Sequence, residues 1–102
     1  MRVSAFFAQP KGSHMSDEIR AKIAGIRRGI DDIDCRIVEL LNERAKLALE
    51  IRALKPQANL GLYDPKREEE IFAHLAACNE GPLYGDNLRE IYDTVLHVMK
   101  EL

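Results

Sequence analysis

From Ile19 to Leu54 the chain reads IRAKIAGIRRGIDDIDCRIVELLNERAKLALEIRAL, and an apolar seam runs through it. Its members step by alternating fours and threes: Ile19, Ile23, Ile26, Ile30, Ile33, Ile37, Leu40, Arg44, Leu47, Ile51 and Leu54. That spacing is helical, and only Arg44 breaks the run of Ile and Leu. A guanidinium among hydrocarbon costs several kcal/mol unless something pairs with it, roughly 3–5 for a broken buried pair. A small anionic ligand is the natural counterpart. The seam predicts one helix from about Ser16, with Ser16 or Asp17 as N-cap, to Leu54. Pro56 ends it by removing an amide hydrogen and disfavouring a helical Lys55. Gly25 and Gly29 leave room for another backbone to approach.

Two shorter helices follow. Asp64-Pro65 is an N-cap followed by proline in the first helical position. Glu68, Glu69 and Glu70 then suit the positive end of the helix dipole. Ile71, Phe72, Leu75 and Cys78 make the apolar face, and Asn79-Glu80-Gly81-Pro82 stops the helix, with Gly81 as a left-handed cap. A third helix is expected from near Asp86, its stripe formed by Leu88, Ile91, Tyr92, Val95, Val98, Met99 and Leu102. Strand signals are nearly absent, so the fold class is all-α with three helices and a long first one.

That first helix is too long for a lone compact domain. About 38 residues at 1.5 Å each span roughly 57 Å. A domain of this size is only some 35 Å across. The two short helices cannot cover the whole seam. A homodimer with crossing long helices, related by a two-fold axis, is therefore expected. A parallel coiled coil would stack Arg44 on its own symmetry mate.

Gly12-Ser13-His14-Met15 has the form of an expression-vector scar. Residues 1–14 are accordingly expected to be a vector-derived leader without fixed structure, and 15–102 the domain. Setting aside Arg2 and Lys11 leaves 13 of the 15 basic residues against 17 acidic ones, a balance of about −4. Nucleic acid is a poor partner for that charge. No stretch approaches the ~20 apolar residues of a membrane span, and a cytoplasmic location is expected. Cys35 and Cys78 have no metal-ligand spacing and fit a reducing compartment. His74 and His97 read as surface or packing residues.

An anion site must then come from a few placed cations. Arg44 and Lys55 lie about three turns apart on nearly one face. Arg27 lies ~25 Å from Arg44 along the same helix, but an antiparallel partner with its axis near residues 35 and 36 would bring the two opposite each other. Arg67 and Glu68 stand in the first turn of the second helix, where free amides also favour anions. Arg67 could equally pair with Glu70 or Glu43 on the surface. Arg28, Arg36, Lys46 and Arg52 read as solvated faces.

These residues resemble a known family, the all-helical AroQ-type (class II) chorismate mutases. The similarity runs from Ile26 to about Val98. It is carried by Ile26-Arg27-Arg28-Gly29-Ile30-Asp31-Asp32-Ile33-Asp34, by Ile37-Val38-Glu39-Leu40-Leu41-Asn42-Glu43-Arg44, and by Leu47-Ala48-Leu49-Glu50-Ile51 and Lys55. Tyr63-Asp64-Pro65-Lys66-Arg67-Glu68 and Asn79-Glu80-Gly81-Pro82-Leu83 complete it. The last piece is similar to mutase modules fused to prephenate dehydratase or to DAHP synthase, so a fused or associated aromatic-pathway enzyme is a possible partner.

The resemblance implies an intertwined homodimer with sites shared between chains. It implies rearrangement of chorismate to prephenate, an isomerase reaction without metal or cofactor. By the same resemblance, Arg27 holds a substrate carboxylate in the partner's site and Arg44 one in its own. Lys55 bonds the ether oxygen, and Arg67 supports the carboxylate end. Asp64, through its backbone, and Glu68, through its side chain, bind the ring hydroxyl. Lys55, Arg44 and Glu68 are the residues expected to carry catalysis.

Three features depart from the family pattern. The family's second ether-oxygen donor, a glutamine, falls by count one place after Leu102. Met99 stands where a small polar residue is common, and Pro56 directly follows Lys55. Isochorismate-pyruvate lyase is the rival enzyme, made less apt by the intact Asp64-Pro65-Lys66-Arg67-Glu68. A non-catalytic or partner-activated regulatory module is the rival of another class.

Overall fold

A computed structural model describes residues 14–61 and 64–102. The leader expected over residues 1–14 lies outside them except for His14, and so does Tyr63. The described chain is helical: α1 spans His14–Leu54, α2 Pro65–Cys78 and α3 Gly85–Lys100, with a 3-10 turn at Lys55–Ala58. Among the described residues there is no strand, and no helix is long and apolar enough to cross a membrane.

α1 starts at His14, inside the expected leader and two residues ahead of Ser16. Helix ends float by a residue or two where nothing opposes another turn, and Asp17 still lies in the first turn, where its charge suits the dipole. At the other end Pro56 acts as expected. The chain tightens into the 3-10 turn, and Asn59 closes it in the left-handed region at φ 60°. Its amide donates to the carbonyl of Pro56 at 3.1 Å, and that of Leu60 to Lys55 at 2.9 Å.

α2 begins as its sequence says. The Asp64 carboxylate accepts from the Arg67 amide at 3.0 Å, satisfying one of the first-turn donors that a helix leaves unpaired. Its end differs from expectation. Gly81 is left-handed, at φ 86°, but in the turn after the helix; the cap is Asn79, with extended backbone. The Asn79 side chain organises that turn, accepting from the Gly81 amide at 3.0 Å and donating to the Leu83 carbonyl at 2.8 Å. A side chain offering both functions thus takes over the stop signal assigned to glycine. At the start of α3 the Asn87 side chain reaches back to accept from the Tyr84 amide at 2.9 Å.

The described residues form two compact units, one ending at Leu40 and one beginning at Leu41. In the first, α1 carries its seam from Ile19 to Leu40 with every member between 43% and 59% exposed. In the second, α2 packs on α3, and the Arg89 guanidinium stacks 3.9 Å from the centre of the Phe72 ring. Leu96 is the one buried apolar residue described.

Leu96 is not on the expected stripe. The inward face of α3 is Leu88, Tyr92, Val95, Leu96 and Met99, whereas Ile91, Val98 and Leu102 are about half exposed. A stripe wider than one line of side chains fits several phases, and α2 selects the one that packs. Cys78 is likewise exposed rather than on the packed face of α2, its Sγ 3.6 Å from His74 Nε2.

Candidate active site

The second unit contains a cavity of about 500 Å³. The last three turns of α1 supply Arg44, Leu47, Ala48, Ile51 and Arg52 to its wall, and Lys55 follows from the 3-10 turn. The start of α2 adds Asp64, Arg67, Glu68 and Ile71, and the end of α3 adds Leu96, Met99 and Lys100. Five of the six expected site residues, from Arg44 to Glu68, therefore share one wall.

Helical geometry explains the grouping. Arg44, Ala48, Ile51 and Lys55 fall on one face, within about 40° of Arg44 around the axis. Pro56 does not remove Lys55 from that face, because the tightened turn begins with Lys55 itself. Arg44 is half-buried, and its guanidinium lies 6.0 Å from the Tyr92 ring centre. That is the outer limit of a cation–π contact, so the ring offers Arg44 weak compensation and leaves its hydrogen-bond donors for an anion.

The acidic residues are held from α2. The Glu68 amide donates to the Asp64 carbonyl at 3.2 Å, and the Glu68 carboxylate pairs through Oε2 with Lys100 Nζ. Arg67 both lines the cavity and pairs with Glu70 at 3.7 Å, the surface contact its sequence position allows. With both side chains more than half exposed, that pair contributes little stability.

Arg52 corrects the sequence reading. It is half-buried rather than solvated, and it donates through Nη2 to the Lys100 carbonyl at 2.7 Å and through Nη1 to the Leu102 carbonyl. Carbonyls at a helix C-terminus lack intrahelical partners and carry negative dipole charge, which a guanidinium satisfies. Its position eight residues after Arg44, about 80° round the helix, is the available signal. Lys100 is a second residue that sequence reasoning misses. A lysine in a last helical turn ordinarily serves the dipole, and nothing in its spacing announces Glu68 across the bundle.

Arg27 is not among the residues lining this cavity. It belongs to the first unit and borders a hollow on α1 with Arg20, Ile23, Ala24, Arg28 and Asp31.

Residues 26–102 match the family described as chorismate mutase type II. The chain belongs to the type II chorismate mutases. They are isomerases, and their members include relatives of two kinds. The bifunctional chorismate mutase/prephenate dehydratase of Aquifex aeolicus is 40% identical over 77 residues, which is 76% of this chain and 20% of that protein. The chorismate mutase of Methanocaldococcus jannaschii is 41% identical over 51 residues, 50% of this chain and 52% of that one. This chain thus spans about a fifth of the bifunctional Aquifex relative's length. Among solved structures, chorismate mutase (Form II) of Thermus thermophilus superposes with a TM-score of 0.76 at 36% identity, over 79% of this chain and 92% of that one. The shared fold is all-α, as the seam and the absence of strand signals predict.

Proposed function

We propose that this chain converts chorismate to prephenate by a concerted [3,3] rearrangement, in an intertwined homodimer whose sites draw on both chains. The observation that supports this most is the convergence of Arg44, Lys55, Asp64, Arg67 and Glu68 on one cavity, from three separate segments. Among the charged residues of that wall, the cations Arg44, Arg52, Lys55, Arg67 and Lys100 outnumber the acids Asp64 and Glu68, which suits a dianion.

Chorismate is flexible and must be held with its enolpyruvyl arm over the ring. Arg44 takes one carboxylate, for which a planar guanidinium offers two parallel hydrogen bonds. The partner subunit's Arg27 takes the other, and Arg67 supports the carboxylate end. The backbone of Asp64 and the side chain of Glu68 hold the ring hydroxyl. Fixing the reactive conformer supplies part of the acceleration. Because the C–O bond breaks ahead of C–C formation, negative charge gathers on the ether oxygen. The Lys55 ammonium there favours the transition state over the substrate. The reaction requires no nucleophile and no cofactor.

The dimer reading rests on the seam. Seven aliphatic residues in register along one helix, each about half exposed, form a continuous apolar stripe, the kind of surface that marks an interaction site. Its natural cover is the same seam of a second copy. The two free cysteines and the absence of a membrane-spanning helix among the described residues agree with a cytoplasmic enzyme. The bifunctional relatives fit a fused or associated aromatic-pathway enzyme as a further partner.

The test is direct. Purified protein is mixed with chorismate and its loss followed together with prephenate formation; a parallel sample receives isochorismate, with pyruvate detection. Prephenate is expected. Pyruvate release instead would identify the lyase, and tight chorismate binding without turnover would identify a regulatory module.

A further inference from the structure

We propose that Lys100 is a positioning residue for Glu68, and that Arg52 holds Lys100 in place. The proposal rests on the reading of the cavity as a chorismate mutase site and extends it to residues outside the expected set. Three elements meet in one chain of contacts. Arg52 on α1 grips the carbonyl of Lys100 and that of Leu102 at the end of α3. The Lys100 side chain crosses to α2 and takes Oε2 of Glu68. Both Lys100 and Glu68 line the cavity.

The arrangement has a chemical use. An ionised carboxylate has two oxygens and accepts several hydrogen bonds. With Oε2 committed to Lys100, rotation of the carboxylate is restricted and Oε1 is left for the substrate hydroxyl. Without the ammonium, the Glu68 side chain must order itself on binding, an entropic cost that falls on substrate affinity. The pair is also better placed for such a role than its neighbour Arg67–Glu70. The Glu68 side chain is 30% exposed, against 54% for that of Glu70. Lys100 acts through Glu68, so its contribution belongs to holding substrate and transition state alike and appears in KM rather than kcat.

The experiment is a double-mutant cycle in the full chain with chorismate as substrate. Lys100→Met keeps the apolar stem and removes the charge; Lys100→Ala is the second truncation, and Lys100→Arg restores a cation. Each is made alone and with Glu68→Gln, with helical content checked by circular dichroism. Residues in direct contact couple, so Lys100→Met and Lys100→Ala are expected to raise KM about tenfold with kcat within about twofold of wild type. Lys100→Arg should recover most of the loss. In the Glu68→Gln background, removing the lysine should change kcat/KM by no more than about twofold. An active wild type with an unaltered Lys100→Met variant overturns the proposal alone. So does an equal loss in both backgrounds, or a fall in kcat with KM unchanged. A wild type that leaves chorismate untouched overturns the functional reading and this inference together.

Discussion

Arg27 and Arg44 occupy the same helix, yet their surroundings differ. Arg44 is half-buried in a cavity wall built by three segments, with Tyr92 beside it and Lys55 on its own face. Arg27 is exposed on α1, among the side chains of its own helix. The seam accompanying it, from Ile19 to Leu40, is about half exposed throughout. The difference teaches that helix propensity and periodicity suffice to build α1, but a site needs segments distant in sequence. The unit of residues 41–102 has those segments within one chain. The described part of the first unit has one helix, and in the proposed dimer a second copy supplies what it lacks.

The largest effect should come from Arg44. Arg44→Ala is expected to lower kcat/KM by about 10³, at the upper end for loss of a preorganised donor, while circular dichroism and sedimentation stay close to wild type. Near-normal turnover would remove the distinction between the two arginines. The opposite side of the comparison is probed by Ile33→Lys, which puts a charge in the exposed seam. Sedimentation should show dimer dissociation at least about tenfold easier, because each interface buries two such charges without partners. An unchanged mass would mean that the seam is not the interface.

Smaller effects sharpen the account of the second unit. Leu96→Ala should lower unfolding stability by about 2–3 kcal/mol in urea titrations, at the low end for buried leucines because the surrounding packing is shallow. Arg52→Met should cost about 1 kcal/mol, the discounted worth of its carbonyl hydrogen bonds at a partly exposed site. Glu70→Ala should cost less than about 0.5 kcal/mol, since its partner Arg67 is exposed.

How much of this is legible in the sequence depends on the range of the interaction concerned. The start of α2 is readable from Asp64-Pro65 because capping is settled within four residues. The end of α1 is readable from Pro56 for the same reason. The Arg44 and Lys55 pairing follows from helical phase alone. Leu96 is not readable, since α3 has more apolar positions than one packed face needs and α2 decides among them. Arg52 and Lys100 escape sequence reasoning because each meets its partner across the fold: Arg52 the end of α3, Lys100 the carboxylate of Glu68. Gly81 is readable as left-handed, but the neighbouring Asn79, which can donate and accept at once, takes the capping role.

The central claim is that a working site needs Arg44 from one chain and Arg27 from another. Mixing Arg27→Ala protein with Arg44→Ala protein tests it most directly, with subunit exchange confirmed by mass spectrometry of differently tagged chains. Each variant alone should be nearly silent. Random exchange gives heterodimers in which one of two sites is whole, so activity should return to about a quarter of wild type. Confirmed heterodimers that remain as silent as their parents would contradict the claim.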